Sequence, residues 1–174
     1  MLQADKIILR KLKEEDLPVL AQLANNKKIW INVRDVLPQP YTLDDAIFFF
    51  NLIKDEQPQV SFAIEYDGTF CGMIGLMPQT DVFRLTAEIG YWLGEPFWNK
   101  GIATKAVAII TEYGFNELDF IRIHTGIFEY NIASMKVLEK NGYKKDGMFE
   151  KSIIKDGKII DEHRYSKIKT IHED

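Results

Sequence analysis

The chain has 174 residues, 46% of them hydrophobic, and a formal net charge of −4; that suffices for one substantial core and calls for no second domain. The acidic balance supplies no basic field for a phosphate backbone, which argues against nucleic acid as a ligand, and no apolar run approaches the roughly 20 residues of a membrane span. Asp5 and Lys6 interrupt any signal-peptide core in the first ten residues, and the single cysteine, Cys71, excludes an internal disulfide, so a cytoplasmic protein is expected.

Lys6 to Lys11 carries Ile7, Ile8 and Leu9 and reads as a first strand. An amphipathic helix follows over Glu14 to Asn25, with Leu17, Leu20, Ala21 and Ala24 on one stripe and Pro18 tolerable in the first turn. Ile29 to Tyr41 is too irregular for an element. Thr42 is a good N-cap for a helix reaching Glu56, whose Ile47, Phe48, Phe49, Phe50, Leu52 and Ile53 are apolar almost all round. Such a helix is either deeply buried or lends one edge to a substrate cleft or a dimer contact.

Val60 to Tyr66 and Phe70 to Met77 read as strands joined by Asp67-Gly68, a strong hairpin signal, and Cys71 falls in this run as an inert buried thiol. From Arg84 to Leu93 the pattern alternates again: Leu85, Ala87, Ile89, Tyr91 and Leu93 share an apolar face, and Glu88, Gly90 and Trp92 share the other. Gly94, Pro96 and Gly101 then break the strand, and a helix runs from Ile102 to about Asn116. Asn99 to Thr104 therefore forms a helix N-terminus, where amides without intrahelical partners and the positive end of the dipole can hold a phosphate or pyrophosphate. Neither GxxxxGK[ST] nor GxGxxG is present.

Arg122 to Phe128 alternates as a strand parallel to the one before the helix, with a ligand expected at the carboxyl ends of the pair. Asn131 caps a short helix that closes at Asn141-Gly142. A terminal hairpin, Tyr143 to Ile154 and Ile159 to Ile168, turns at Asp156-Gly157, and His172-Glu173-Asp174 reads as a frayed end. His124, His163 and His172 lie far apart without metal-ligand spacing, so no metal is expected.

Trp98-Asn99-Lys100-Gly101-Ile102-Ala103 is similar to the pyrophosphate loop Q/R-x-x-G-x-G/A of the GNAT acyl-CoA-dependent N-acetyltransferases, with Trp in place of Gln/Arg. Asn131-Ile132-Ala133-Ser134 followed by Val137 to Tyr143 resembles that family's N-x-A-S-x-x-V-L-E-K-x-G-F/Y, in the branch like the RimJ/RimL ribosomal-protein acetyltransferases. The resemblance covers nearly the whole chain. It implies a single α/β (α+β) domain with a mixed, mostly antiparallel central sheet, flanking helices, and a parallel strand pair that splays to admit acetyl-CoA. It also implies that CoA is bound by Tyr91, Trp92 and Leu93 at the strand end, by Trp98 and by the loop from Asn99 through Lys100, Gly101, Ile102 and Ala103 to Thr104, with Asn131 and Ser134 on the second helix.

Acyl transfer from a thioester to an amine requires a grip on CoA, a neutral amine, a stabilised oxyanion and a proton for the departing thiolate. Glu88 is placed to take the amine proton, directly or through water; the competing reading is a solvated or structural carboxylate. Asn131 is an N-cap that can also bond CoA. Many family members carry the acid as a tyrosine where this chain has Leu138, which leaves Ser134, then Tyr130, then water as the donor, with Ser134 otherwise a small packed helix residue. Trp92 and Trp98 also suit a packing role, and Asn99 and Lys100 are expected to tolerate substitution where Gly101 is not. The acceptor is a protein N-terminus, a polyamine or another small amine; the rival function is a non-catalytic acyl-CoA-binding module.

Overall fold

The computed structural model describes residues 2–170, so the expected frayed end at His172 to Asp174 lies outside the described residues. In chain order the elements are β1 (Leu2–Ala4), β2 (Ile7–Arg10), α1 (Leu17–Ala24), α2 (Lys27–Trp30), α3 (Leu43–Ile53), β3 (Ser61–Tyr66), β4 (Thr69–Pro78) and β5 (Thr86–Leu93). Then follow α4 (Ile102–Asn116), β6 (Arg122–Phe128), α5 (Ile132–Lys140), β7 (Lys144–Lys155) and β8 (Lys158–Ile168). All eight strands form one sheet in the order β1-β2-β3-β4-β5-β6-β8-β7. Every neighbouring pair is antiparallel except β5 and β6.

Local chemistry accounts for most of these bounds. The β3–β4 hairpin turns on Asp67 (φ 52°) and Gly68 (φ 78°), two left-handed residues as a two-residue I′ turn requires. Thr42 and Asp45 form a reciprocal capping box at the start of α3: the Asp45 amide donates to Thr42 Oγ1 at 3.3 Å and the Thr42 amide to Asp45 Oδ2 at 2.7 Å. The expected first strand is β2, and β1 precedes it as an additional strand that turns at Asp5 (φ 51°); three residues are too few to show an alternation in sequence. Asn26 caps α2 by accepting from the Lys28 amide at 2.9 Å, so one helical turn runs into the start of the segment expected to be irregular. Leu85 lies outside β5 and is exposed, which removes it from the apolar face assigned to that strand.

Two cores form, one on each face of the sheet. Ala87, Ile89, Leu93, Ile123 and Ile127 meet α4 and Leu138 on one face; Ala63, Phe70 and Met73 meet α1 and the Ala46 side of α3 on the other. Deep burial of α3 is not observed: of its residues only Ala46 is fully buried, while Phe48 is 72% and Leu52 68% exposed. The helix packs through Ala46, Phe49, Phe50 and Ile53, and its opposite side faces outward.

The pairing of β5 with β6 is short. It covers Thr86 with Arg122, Ala87 with Ile123 and Glu88 with His124, and then stops. Beyond that rung β5 stays paired with β4 as far as Leu93, and β6 stays paired with β8 as far as Phe128. Each strand follows its outer neighbour, so a wedge opens in the middle of the sheet between Ile89–Leu93 and Thr125–Phe128.

The edge of the sheet is tied to α1 by charge. Arg10 clasps Asp16 through two hydrogen bonds of 2.6 and 2.9 Å and donates a third, of 2.6 Å, to Glu65. Burial alone would push the Asp16 carboxyl up, but Arg10 and the Lys13 amide hold it below its ordinary value of 3.8. A carboxylate whose folded pKa is depressed contributes stability above about pH 4 that is lost as pH falls through the folded value. Asp16→Asn is therefore expected to lower unfolding free energy by about 2 kcal/mol at neutral pH and by much less near pH 2, as denaturant midpoints at the two pH values will show.

Candidate active site

The wedge is bounded below by the last paired rung of β5 and β6, on one side by the start of α4 and on the other by α5. Beyond Leu93 the chain makes a 3-10 turn at Glu95–Phe97. Trp98 then donates its indole N–H to the Leu93 carbonyl at 2.8 Å while its ring packs on the α4-side core. An aromatic at this position anchors the loop to the strand it has just left.

Asn99 (φ 60°) and Gly101 (φ 75°) are both left-handed, and they turn the chain so that α4 starts at Ile102 with Gly101 as its N-cap. No side chain caps that helix. Its first amides are thus available to an anion, and a Cβ built on Gly101 meets nothing within 4 Å, so the space before the loop is open. The left-handed backbone at Asn99 corrects the expectation of free substitution there, since asparagine and glycine adopt it more readily than other residues. Lys100 extends over the Phe97 ring at 5.5 Å.

Across the wedge, Asn131 caps α5 by accepting from the Ser134 amide at 3.2 Å. Ser134 Oγ lies 2.7 Å from the hydroxyl of Tyr91, which also donates to the Ser134 carbonyl at 3.3 Å. Tyr91 sits on the core face of β5, so its polar tip needs a buried partner, and burial pushes its hydroxyl pKa up to about 12, keeping it protonated at neutral pH. Asn141 ties the end of α5 to the first turn of α4 by donating to the Thr104 carbonyl at 3.0 Å.

Glu88 occupies the opposite face of the sheet, with Gly90 and with Trp92, which packs against the α1 and α3 core. The Glu88 side chain is 15% exposed and pairs with the guanidinium of Arg34, from the α2–α3 connection. The parallel register sets His124 beside it, and Nδ1 of His124 is buried without a hydrogen-bond partner. Burial holds His124 below its ordinary value; Glu88 opposes that shift, and Arg164 and Arg122 reinforce it. Glu162, on β8, lies over Gly126 on the same face, where a Cβ on residue 126 would come within 1.7 Å of Glu162 Oε1. Tyr130 donates its hydroxyl to the Ile31 carbonyl at 2.6 Å and packs edge-on against Phe128.

The structure thus brings Tyr91, Ser134, Asn131 and the Asn99–Thr104 loop to one face of the sheet at the wedge and Glu88 to the other face. Arg34, His124 and Glu162 were not singled out by sequence; the β5–β6 and β6–β8 registers set His124 and Glu162 on the Glu88 face, and the ion pair with Glu88 brings Arg34 there. Tyr91 stands out in the sequence as a polar-tipped residue on an otherwise apolar strand face, and the fold supplies Ser134 as its partner.

The sequence model of the acetyltransferase (GNAT) domain matches residues 6–144, which include the splayed strand pair and the glycine-started helix. The chain belongs to the GNAT acetyltransferase family. A probable N-acetyltransferase, YjcK of Bacillus subtilis (strain 168), is 36% identical over 102 residues, covering 59% of this chain and 56% of that protein. The spermidine N(1)-acetyltransferase of Escherichia coli (strain K12) is 27% identical over 84% of this chain and 77% of its own. Among solved structures, the ribosomal L7/L12 α-N-protein acetyltransferase RimL, in complex with coenzyme A, superposes with a TM-score of 0.83 at 20% identity, over 95% of both chains. This GNAT enzyme accordingly has the mixed sheet, flanking helices and parallel pair that its sequence implied.

Proposed function

We propose that this GNAT acetyltransferase binds acetyl-CoA with its pyrophosphate on the amides of Asn99–Thr104 and its thioester in the wedge, and transfers the acetyl group directly to an amine in a ternary complex. The observation that carries this reading is the wedge itself, which opens one rung above Glu88 and one residue pair from the Tyr91–Ser134 contact. The acceptor approaches on the Glu88 face, and CoA lies against α4 and α5.

Glu88 takes a proton from the ammonium form of the acceptor, directly or through water. The freed nitrogen attacks the thioester carbonyl, the C–N bond forms, the nitrogen gives up its second proton to solvent, and the C–S bond breaks as the tetrahedral intermediate collapses. Ser134 donates its proton to the departing thiolate and is reprotonated from solvent or through Tyr91, giving the N-acetyl product, CoA and one net proton. An acyl-enzyme through the cysteine is disfavoured: Cys71 is fully buried in β4, its thiol donates to the Ile64 carbonyl at 3.2 Å, and burial pushes its pKa up to about 12.

Acetyl-CoA consumption across a panel of amines that includes N-terminal peptides and spermidine tests the reading. Binding of acetyl-CoA with no turnover for any amine would leave the non-catalytic module as the function. Ser134→Ala is expected to lower turnover by about 10-fold to 100-fold, near the lower end of general-acid contributions, because a thiolate departs tolerably unprotonated. Acetyl-CoA affinity should change by less than about tenfold, since one neutral hydrogen bond is worth roughly 1 kcal/mol. Full turnover in that variant, measured at saturating acetyl-CoA, refutes the acid role and makes Tyr130→Phe the next variant to assay.

A further inference from the structure

We infer that the acceptor is zwitterionic, an α-amino acid or a similar small amine whose carboxylate carbon lies two bonds from the nitrogen, with its ammonium on Glu88 and its carboxylate on Arg34. This rests on the acetyl transfer proposed above and names the substrate class of the same site.

The pair Arg34–Glu88 closes the acceptor side of the wedge. Its two ends differ: the Glu88 side chain is 15% exposed and that of Arg34 is 59% exposed. An incoming molecule therefore meets the guanidinium first and the carboxylate behind it. The backbone of Arg34 is held on both sides by groups from across the wedge. Tyr130 donates to the Ile31 carbonyl at 2.6 Å. Lys155, whose side chain is only 2% exposed, donates to Asp35 at 2.6 Å and stands 3.8 Å from the centre of the Trp30 ring. Arg34 is thus presented from a pinned segment, although its own end is free to swing.

The surroundings are balanced in charge. On the same face of the sheet Glu162 pairs with Arg164 at 3.1 Å and Arg122 pairs with Asp146. Glu88, Arg164, Arg122 and Asp146 all act on His124, which places these groups around one point. Each of these carboxylates already has a guanidinium partner, so a polycation meets three arginines and no surplus of negative charge. A simple amine on Glu88 would expel Arg34 and leave that cation without a partner, a cost that specificity in polar sites commonly exploits. A zwitterion exchanges one ion pair for two, because its carboxylate takes up the guanidinium in a bidentate pair while its ammonium reaches Glu88 Oε1. Room for it lies on the β5 side: the next residue of β5 on this face is Gly90, which carries no side chain, while the space over Gly126 on β6 is taken by Glu162, held there by Arg164.

The test is kcat/KM for the common L-α-amino acids, each against its own amide, with an N-terminal dipeptide amide and spermidine, in the native enzyme and in Arg34→Gln. The expected result is at least one amino acid preferred over its amide by roughly 10-fold to 100-fold, the range of a charge-assisted hydrogen bond. Arg34→Gln should collapse that ratio through KM, and Arg34→Lys should keep part of it. Preference for amides, the dipeptide amide or spermidine over every amino acid overturns the inference while upholding acetyl transfer, as does a ratio unchanged in Arg34→Gln. Acetyl-CoA bound without turnover of any amine overturns the transfer reading and this inference with it.

Discussion

Gly101→Asp is expected to weaken CoA binding by at least about a hundredfold while the protein stays folded. A carboxylate placed about 4 Å from a phosphate, at an effective dielectric near 20, costs on the order of 4 kcal/mol, close to a thousandfold before salt screening reduces it. Folding is affected far less. The new Cβ meets no atom within 4 Å, so the only penalty is the left-handed backbone at φ 75°, roughly 1 to 2 kcal/mol for a residue with a side chain and less for Asp. That corresponds to a fall of only a few degrees in Tm for a chain of this size. Gly101→Asn separates the two effects, because asparagine accepts the same backbone with no charge. Calorimetric affinity for CoA should fall steeply in the Asp variant and modestly in the Asn variant. Equal affinities in the two would remove the phosphates from this loop.

Glu88→Gln is expected to lower turnover by about 10²-fold to 10⁴-fold, the usual contribution of a positioned base, with little change in acetyl-CoA affinity. The amide keeps the shape of the carboxylate and can still meet Arg34, so packing is retained and only the ability to take a proton is lost. The deficit should deepen toward low pH. There the acceptor is more fully protonated as an ammonium, and without Glu88 it depends on solvent to release that proton. Rate profiles over about pH 6 to 8 provide the check. Native rates throughout that range would make Glu88 a structural partner of Arg34 and nothing more.

Both variants lie in the stretch that the sequence makes most conspicuous, and the reason is local. Alternation from Ala87 to Leu93 places Glu88 on the face away from α4 in any sheet, and Gly101 before a 3.6-residue pattern marks a helix start in any fold. The observed β5 and α4 keep both assignments. The cap of α5 by Asn131 and the turns at Asp67-Gly68 and Asp156-Gly157 were legible for the same cause: each is decided by the conformational preferences of two or three adjacent residues.

Local signals fail where the outcome depends on a distant neighbour. The apolar pattern of α3 suggested burial, yet a helix is buried only where another element covers it, and nothing within its own eleven residues reports that Phe48 and Leu52 face outward. The 35 residues between Glu88 and His124 give no hint that the two share a rung, because register is set by the crossover through α4.

The sequence by itself therefore determined the order of the longer elements, though not β1 or α2, the side of the strand on which Glu88 and Tyr91 stand, the glycine-started helix and, through two motifs, the family. Only the tertiary structure decided that β5 and β6 part after three rungs, since that follows from β4 and β8 pulling them in different directions. It alone joined Tyr91 to Ser134 across 43 residues and Arg34 to Glu88 across 54. Hydrogen bonds and ion pairs act over a few ångströms in space whatever their separation along the chain, so the polar cluster around Glu88, built from such pairs, exists only once the chain has folded.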